Sequence, residues 1–163
     1  MTAVNLNPSR VADAERLGQP EPFSGASNEG WLSGKPLLIT VVFTGMATTI
    51  AALKHARHLA EGLSAEIRIV MPQVVPHVLP LEQPPVSPEF RVRYFCTAAG
   101  EHATGISIEV HLCRDAHLAV VNALRPGSLV LIGRRGPWWV TGEKSLARTL
   151  RRAGHQVLIV DHK

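Results

Sequence analysis

Residues 133–145 read GRRGPWWVTGEKS and directly follow the apolar run SLVLI. Gly133 and Gly136 lie three positions apart at the end of this run, and a basic, helix-like segment follows them. Glycines let backbone N–H groups approach a phosphate closely, so the arrangement is typical of the start of a phosphate-binding loop. The tryptophans at 138–139 stand where such a loop needs small residues. The stretch therefore leaves two alternatives, a nucleotide site and a loop that has lost one.

Apolar, β-branched runs alternate with amphipathic segments on both sides of this stretch. The continuous runs predict strands buried on both faces, and apolar residues at helical spacing predict helices between them. Gly62 and Asp115 are predicted caps, at the end of the first helix and the start of the third. Six prolines within 72–88 predict an irregular connection. Strands are predicted at 37–43, 65–71, 106–112, 128–133 and 156–161, and helices at 47–62, 89–102, 116–124 and 143–154.

The resulting order of elements is βαβαβαβαβ. It predicts an α/β fold, an open, doubly wound, five-stranded and mostly parallel sheet with helices on both faces. Residues 1–34 lack sustained periodicity and are predicted to be a flexible N-terminal tail in front of an α/β domain at 35–163. Ligands of such sheets lie at the carboxyl ends of the strands, where the strand order reverses. The predicted site is therefore formed by the turns after Phe43, Met71, Leu112 and Gly133.

Composition restricts the class of protein. The chain has 163 residues, of which 45% are hydrophobic, enough for one domain with a core. It has no apolar run of the roughly 20 residues that a membrane span needs, and no apolar signal-peptide segment near its start. We expect a cytoplasmic protein that does not bind membranes. Cys96 and Cys113 are too few for a disulfide framework and are expected to be free thiols.

The net charge of +4 is unevenly distributed. Residues 1–34 carry −2, whereas residues 125–163 carry +6. A basic C-terminal part could face phosphates, nucleic acid or an acidic partner, and a solvated helix face explains the same pattern equally well. Nucleic acid is the least expected of these ligands.

The pattern resembles the universal stress protein family over about residues 36–161. The matching segments are LLITVVFTG…AALKHARHLA, AEIRIVMPQVVP and GSLVLIGRRG…SLARTLRRAGHQVLIV. In that family an apolar strand ends in Gly-x-x-Gly, which Gly133 and Gly136 match, and a loop, a helix and a terminal strand follow. The resemblance implies a nucleotide-binding-like α/β domain that takes part in the stress response. It also implies a homodimer formed through the last strand, here QVLIVD (156–161).

The sequence departs from the nucleotide-binding members of the family at two places. Those members have an Asp after the first strand, and the equivalent residue here is Thr44, followed by Gly45. They also have a second Gly followed by Ser or Thr, and these positions fall on Glu143 and Lys144, with Gly142 and Ser145 close by. The family's mode of ATP binding is therefore expected to be lost.

Other chemistries have weaker signals. In HLCRDAH (111–117), residues His111, Cys113 and Asp115 would share one face of a strand, and zinc accepts these ligand types. Strand alternation and a capping role for Asp115 explain the same residues, so no metal site is predicted. Cys113 beside His111 or His117 lacks a third catalytic member, and a structural thiol is the simpler interpretation. No catalytic motif is present, and we expect the protein not to be an enzyme.

Two functions remain as hypotheses. The first is a non-enzymatic universal stress protein-like domain that acts in the stress response through dimerisation or binding of an unknown protein partner, without a cofactor. The alternative is an adenine-nucleotide (ATP or AMP) binding protein, with weak ATPase activity possible. The alternative would bind its ligand through Thr44, Gly45, Val70, Met71, Gly133, Arg134, Gly136 and Ser145.

The short loop after Gly133 gives a further prediction. Pro137 stiffens its entry, and two exposed tryptophan rings would leave a large apolar surface in water. We therefore predict that Trp138 or Trp139 occupies the space of the nucleotide, near Thr44 and Gly45.

Overall fold

Six strands and four α-helices form within the residues that this computed structural model describes, 2–6, 37–135 and 141–162. A short 3-10 helix at Gly100–Ala103 follows the second α-helix. The strands are β1 (Thr2–Leu6), β2 (Leu38–Val42), β3 (Glu66–Val74), β4 (Ser107–Cys113), β5 (Leu129–Arg135) and β6 (Gln156–His162). The helices are α1 (Met46–Leu63), α2 (Pro88–Ala99), α3 (Ala116–Ala123) and α4 (Thr141–Arg152).

The strands form one sheet in the order β1-β4-β3-β2-β5-β6. Strands β2 to β6 pair in parallel, which confirms the predicted five-stranded parallel core. The chain builds outward from β2 through β3 to β4, then returns to the other side of β2 and adds β5 and β6. The strand order therefore reverses between β2 and β5, and this is where such folds place a ligand.

Helices cover both faces of the sheet, as predicted. On one face α1 and α2 bury a cluster that includes Leu53 and Phe95 together with inward-pointing residues of β2, β3 and β4. On the other face α3 and α4 bury a second cluster around Val120, Leu146 and Leu150. Continuous apolar strands produce two cores because successive side chains point to opposite faces.

Side-chain caps position the helices that border the carboxyl edge of the sheet. The Asp115 carboxylate accepts the backbone N–H of Leu118 at 3.0 Å, which confirms its predicted capping role at α3. Ser87 caps α2 in the same way, with Pro88 in the first turn. The predicted cap at Gly62 is wrong, because Gly62 lies inside α1. Ser64 holds the left-handed cap position instead, with φ 48°.

Two strands extend two or more residues beyond their predicted ends. β3 continues through Pro72 to Val74 because β4 pairs with it up to Cys113, so the proline-rich connection begins later than predicted. β5 continues past Gly133 to Arg135 because β6 pairs with it as far as His162. Neither extension has an apolar signature, and each depends on a neighbouring strand.

The first residues differ from the predicted flexible tail. Thr2–Leu6 form β1, which pairs antiparallel with β4 and lies at one edge of the sheet. The strand adds a sixth member to the five parallel strands. The rest of the predicted tail and its boundary with the domain at 34–35 lie outside the described residues. Within the described ranges, no helix has the length and hydropathy needed to span a bilayer.

Candidate functional site

A cleft lies at the carboxyl edge of the sheet, where the topology predicts a ligand. Its volume is about 270 Å³, slightly below the roughly 300–1,000 Å³ of common ligand pockets. The end of β2, the last third of β3 and the N-terminal parts of α3 and α4 contribute to its walls. The lining residues are Val42, Phe43, Thr44, Pro72, Ala116, His117, Val120, Gly142, Glu143 and Leu146.

Thr44 and Gly133 bridge the point where the strand order reverses. The Thr44 hydroxyl donates to the Gly133 carbonyl oxygen at 2.8 Å, joining the turn after β2 to β5. The same hydroxyl lies 3.1 Å from that of Thr48, in the first turn of α1. The structure thus brings two predicted site residues together, but they satisfy each other's polar groups.

Gly133 has a packing role that its place in a glycine motif does not reveal. A methyl group placed on its Cα would lie 1.9 Å from the Thr48 carbonyl oxygen. This distance is far below van der Waals contact, so α1 packs directly against the backbone of β5. The glycine is required by helix–strand contact, whether or not a ligand binds.

Two backbone N–H groups just before α1 already have a partner. The Thr49 hydroxyl accepts the N–H of Thr44 at 3.2 Å and lies 3.5 Å from the N–H of Gly45. A phosphate at the turn after β2 would be held by backbone N–H groups of this kind. The predicted contribution of Thr44 and Gly45 to phosphate binding would therefore compete with the Thr49 hydroxyl.

Val70 and Met71 were predicted to lie at the end of their strand. They lie inside the sheet instead, because β3 continues to Val74. Both side chains are fully buried. The carbonyl of Val70 accepts the N–H of Phe43 at 2.9 Å, and Met71 is in register with Val110 of β4. Because β3 runs on to Val74, the β3 residue that borders the cleft is Pro72. The predicted backbone contacts to a base are thus displaced along the strand.

The predicted phosphate-binding residues near α4 are dispersed. The Arg134 guanidinium donates to the Asp161 carboxylate at 2.6 Å, across the pair of strands β5 and β6. Ser145 is exposed on α4 and does not line the cleft, whereas Gly142 does. Gly136, Trp138 and Trp139 lie outside the described residues, so the predicted tryptophan plug stays a prediction.

The charge lining the cleft is unfavourable for a phosphate. Glu143 supplies a carboxylate, and no lysine or arginine is among the described lining residues. Sequence reasoning missed His117 as a cleft residue. The Asp115 cap could have predicted this position. It starts α3 at the carboxyl edge of the sheet, and the first turn of such a helix lies over the site.

One candidate metal ligand, His111 on β4, belongs to a different network. The Glu109 carboxylate lies 3.3 Å from the Arg68 guanidinium and 3.5 Å from His111 Nε2. The His111 ring and then the Arg68 guanidinium hold the pKa of Glu109 below its ordinary value, against the opposing effect of burial. Among the described residues, no three His, Cys, Asp or Glu side chains are grouped as metal ligands.

Cys113 lies in a setting that disfavours the reactive thiolate. Burial raises the pKa of its thiol, and the negative charge of Asp115 raises it further. The thiol is free, as predicted, and so is that of Cys96. A raised pKa keeps the sulfur protonated and weakly nucleophilic, which supports the structural interpretation.

Comparison with known proteins finds likeness in structure. No protein-family model matches the chain, and no curated protein matches its sequence. The chain is similar to a universal stress protein family member from Burkholderia pseudomallei, with 22% identity over 76% of this chain and 94% of that chain and a TM-score of 0.46. It is also similar to the universal stress protein from Archaeoglobus fulgidus in complex with dAMP, with 10% identity over 77% and 98% of the two chains and a TM-score of 0.49.

A universal stress protein in complex with cAMP is a further similar structure, with 17% identity over 78% of this chain and 98% of that chain and a TM-score of 0.46. The chain resembles the universal stress proteins in fold. These structures come from the family that the sequence resembles, and at such identities the likeness concerns the fold alone.

Proposed function

We propose that this universal stress protein-like domain acts without catalysis, through assembly and partner binding, and that its cleft does not hold an adenine nucleotide in the family's manner. The observation that carries the proposal is the hydrogen bond from the Thr44 hydroxyl to the Gly133 carbonyl. It ties the turn after β2 to β5 and engages the hydroxyl at the position where the family's acid would contact the ribose and phosphate region.

Three further observations support the loss of nucleotide binding. The N–H groups of Thr44 and Gly45, just before α1, are hydrogen-bonded to the Thr49 hydroxyl. Arg134 is paired with Asp161 and so is engaged away from the cleft. Glu143 adds a negative charge to the lining, which opposes a phosphate. A nucleotide could use Arg134 or the N–H groups of Thr44 and Gly45 only after their present hydrogen bonds were broken.

The nucleotide part of the proposal is tested by calorimetric titration. ATP with magnesium, dAMP and cAMP are the ligands, the last two because similar structures are named as complexes with them. We expect no binding in the low micromolar range. The variant Glu143→Gln removes the carboxylate and keeps the Thr44–Gly133 hydrogen bond, so we expect it to show no nucleotide binding either. A micromolar isotherm with the wild-type protein would overturn the proposal in favour of the adenine-nucleotide alternative.

Assembly is proposed to use the free edge of β6. This strand is the last in the order of the described sheet, on the side opposite β1. The N–H of Gln156 donates to Ser128 in the turn before β5, and in a parallel ladder alternate residues point to the same neighbour. The backbone groups of Val157, Ile159 and Asp161 therefore point outward, and an open edge of this kind favours pairing.

We propose that two copies pair through these outward groups as a homodimer. Leu158 on the same strand is 42% exposed, so pairing would also bury apolar surface. Light scattering on the wild-type protein is expected to give a dimer, and the variant Ile159→Lys a monomer. The variant Gln156→Lys adds the same charge to an already exposed side chain and is expected to stay dimeric. A wild-type monomer at high concentration would contradict this part of the proposal.

A further inference from the structure

A second concavity lies between α4 and β6, outside the cleft. Its volume is about 420 Å³, and its lining contains four cationic and two apolar side chains. We call it the α4–β6 groove, and it is lined by Lys144, Ala147, Arg148, Arg151, Arg152 and Ile159.

The cations of the α4–β6 groove lie along one side of α4. Positions 144, 148, 151 and 152 are separated by helical spacings of three or four residues or are adjacent, so their side chains share a face. All four are exposed, and within the described chain no carboxylate forms an ion pair with any of them. Arg151 uses one donor on the carbonyl of Val157 at 3.0 Å and keeps other N–H donors. The groove therefore presents a concentrated, uncompensated positive charge.

The floor of the groove is aliphatic. Ala147 is 1% exposed and packs in the core, and Ile159 is half-buried beside it. No aromatic ring is among the described lining residues. Unpaired bases bind proteins largely by stacking on aromatic side chains, so this surface is a poor platform for single-stranded nucleic acid. An aliphatic side chain between carboxylates matches both the floor and the rim.

We propose that the α4–β6 groove binds an acidic peptide segment of a partner protein. One aliphatic side chain of the segment covers the exposed part of Ile159, and its carboxylates pair with the cations of α4. Arginine is suited to this role because its guanidinium can hold a carboxylate through two parallel hydrogen bonds. The inference rests on the proposed partner-binding function and names the chemistry of the partner.

A second copy of the chain is not the occupant. Two β6 strands that pair antiparallel about a two-fold axis place both α4 helices on the same face of the continuous sheet. The two grooves then lie side by side, and cations face cations. Dimerisation through β6 would therefore widen the basic surface and would strengthen its attraction for an acidic segment.

The test uses the full chain and a fluorescently labelled peptide of about ten residues that alternates glutamate with leucine. Anisotropy is expected to show saturable binding that weakens as salt is raised, because exposed charge pairs are screened. The double variant Arg148→Glu, Arg152→Glu is expected to weaken binding by about tenfold or more, since each reversal replaces an attraction by a repulsion. Its folding is checked by a thermal melt against the wild-type protein.

A matched variant separates the groove from net charge. Arg93→Glu with Arg125→Glu makes the same charge change at exposed residues of α2 and of the turn after α3. This variant is expected to bind the peptide as the wild-type protein does. Equal weakening in both double variants, or no saturable binding in either protein, would overturn the inference. Tighter binding of a single-stranded oligonucleotide than of the peptide, lost with the same two arginines, would also overturn it.

The outcome is distinguishable from failure of the proposed function. Nucleotide titration and light scattering are carried out on the same samples. A protein that binds ATP, or that is monomeric, yet binds the acidic peptide through Arg148 and Arg152 would overturn the proposed function and leave the groove assignment standing. A dimer that binds neither nucleotide nor peptide would overturn the groove assignment and leave the proposed function standing.

Discussion

The cleft at the carboxyl edge and the α4–β6 groove differ in how far their polar groups are already satisfied. In the cleft, the Thr44 hydroxyl is bound to Gly133, and the lining carries the carboxylate of Glu143. In the groove, four cations of α4 have no ion pair within the described chain. The cleft is smaller, about 270 Å³ against about 420 Å³.

The difference indicates where binding free energy is available. A ligand gains little from groups that must first break internal hydrogen bonds, because it only exchanges one partner for another. Exposed cations exchange water and counterions for the partner, which favours association and makes it dependent on salt. The turn after β2 and the end of β5 therefore form a structural contact, and the proposed partner surface lies beside β6.

The largest expected effect comes from Gly133→Ala, which tests whether α1 packs directly against the backbone of β5. The added methyl group would meet the backbone of Thr48 at 1.9 Å, and backbone in a helix cannot turn aside as a side chain can. We expect a loss of roughly 3 kcal/mol or more in the free energy of unfolding, from overpacking and the displacement of α1. Urea denaturation followed by circular dichroism measures it.

The matched control for that variant is Gly62→Ala. No atom lies within 4 Å of a methyl group at Gly62, which is inside α1. Alanine is a better helix former than glycine, so this change is expected to stabilise the protein by about 0.5–1 kcal/mol. If Gly133→Ala proved as harmless as Gly62→Ala, α1 and β5 would not be in direct contact and the crevice would be open.

A smaller effect is expected from Thr44→Val, which keeps the shape of the side chain and removes its hydroxyl. The Gly133 carbonyl then loses its partner in a half-buried site, and the expected cost is about 1–2 kcal/mol. Thr44→Ser keeps the hydroxyl and is expected to lose less. Thermal unfolding of the three proteins compares them, and equal stability of Thr44→Val and the wild-type protein would show that the bridge contributes nothing.

Much of the fold could be predicted because its signals are local. The parallel strands are apolar runs or, in β4, an alternating pattern, and each helix is amphipathic or capped, so the order and type of the elements follow from neighbouring residues. The location of the cleft followed from topology, since the ends of parallel strands meet at one edge. The Asp115 cap was predictable for the same reason, because a capping side chain acts within three residues.

The details of the site depended on contacts between distant parts of the chain. The Thr44–Gly133 hydrogen bond spans 89 positions, so a sequence pattern shows a threonine and a glycine but not their pairing. Arg134 and Arg135 look like loop residues, yet β6 extends β5 through them. For the α4–β6 groove, the sequence predicted only a basic C-terminal segment. Its concave shape depends on how α4 packs beside β6, which no local pattern shows.

The smallest expected effect concerns Arg151, which links the groove to the edge of β6. Its guanidinium donates to the outward-pointing carbonyl of Val157 and so covers part of the edge. Arg151→Ala is expected to cost about 1 kcal/mol of stability, the usual value of one such hydrogen bond, and to strengthen self-association by exposing the carbonyl. Arg152→Ala removes the same charge from the next position, where no hydrogen bond is formed in the described chain, and serves as the control. Sedimentation equilibrium measures both variants. If the two alanine variants associated equally, net charge would control pairing, and the covering of Val157 would have no part in it.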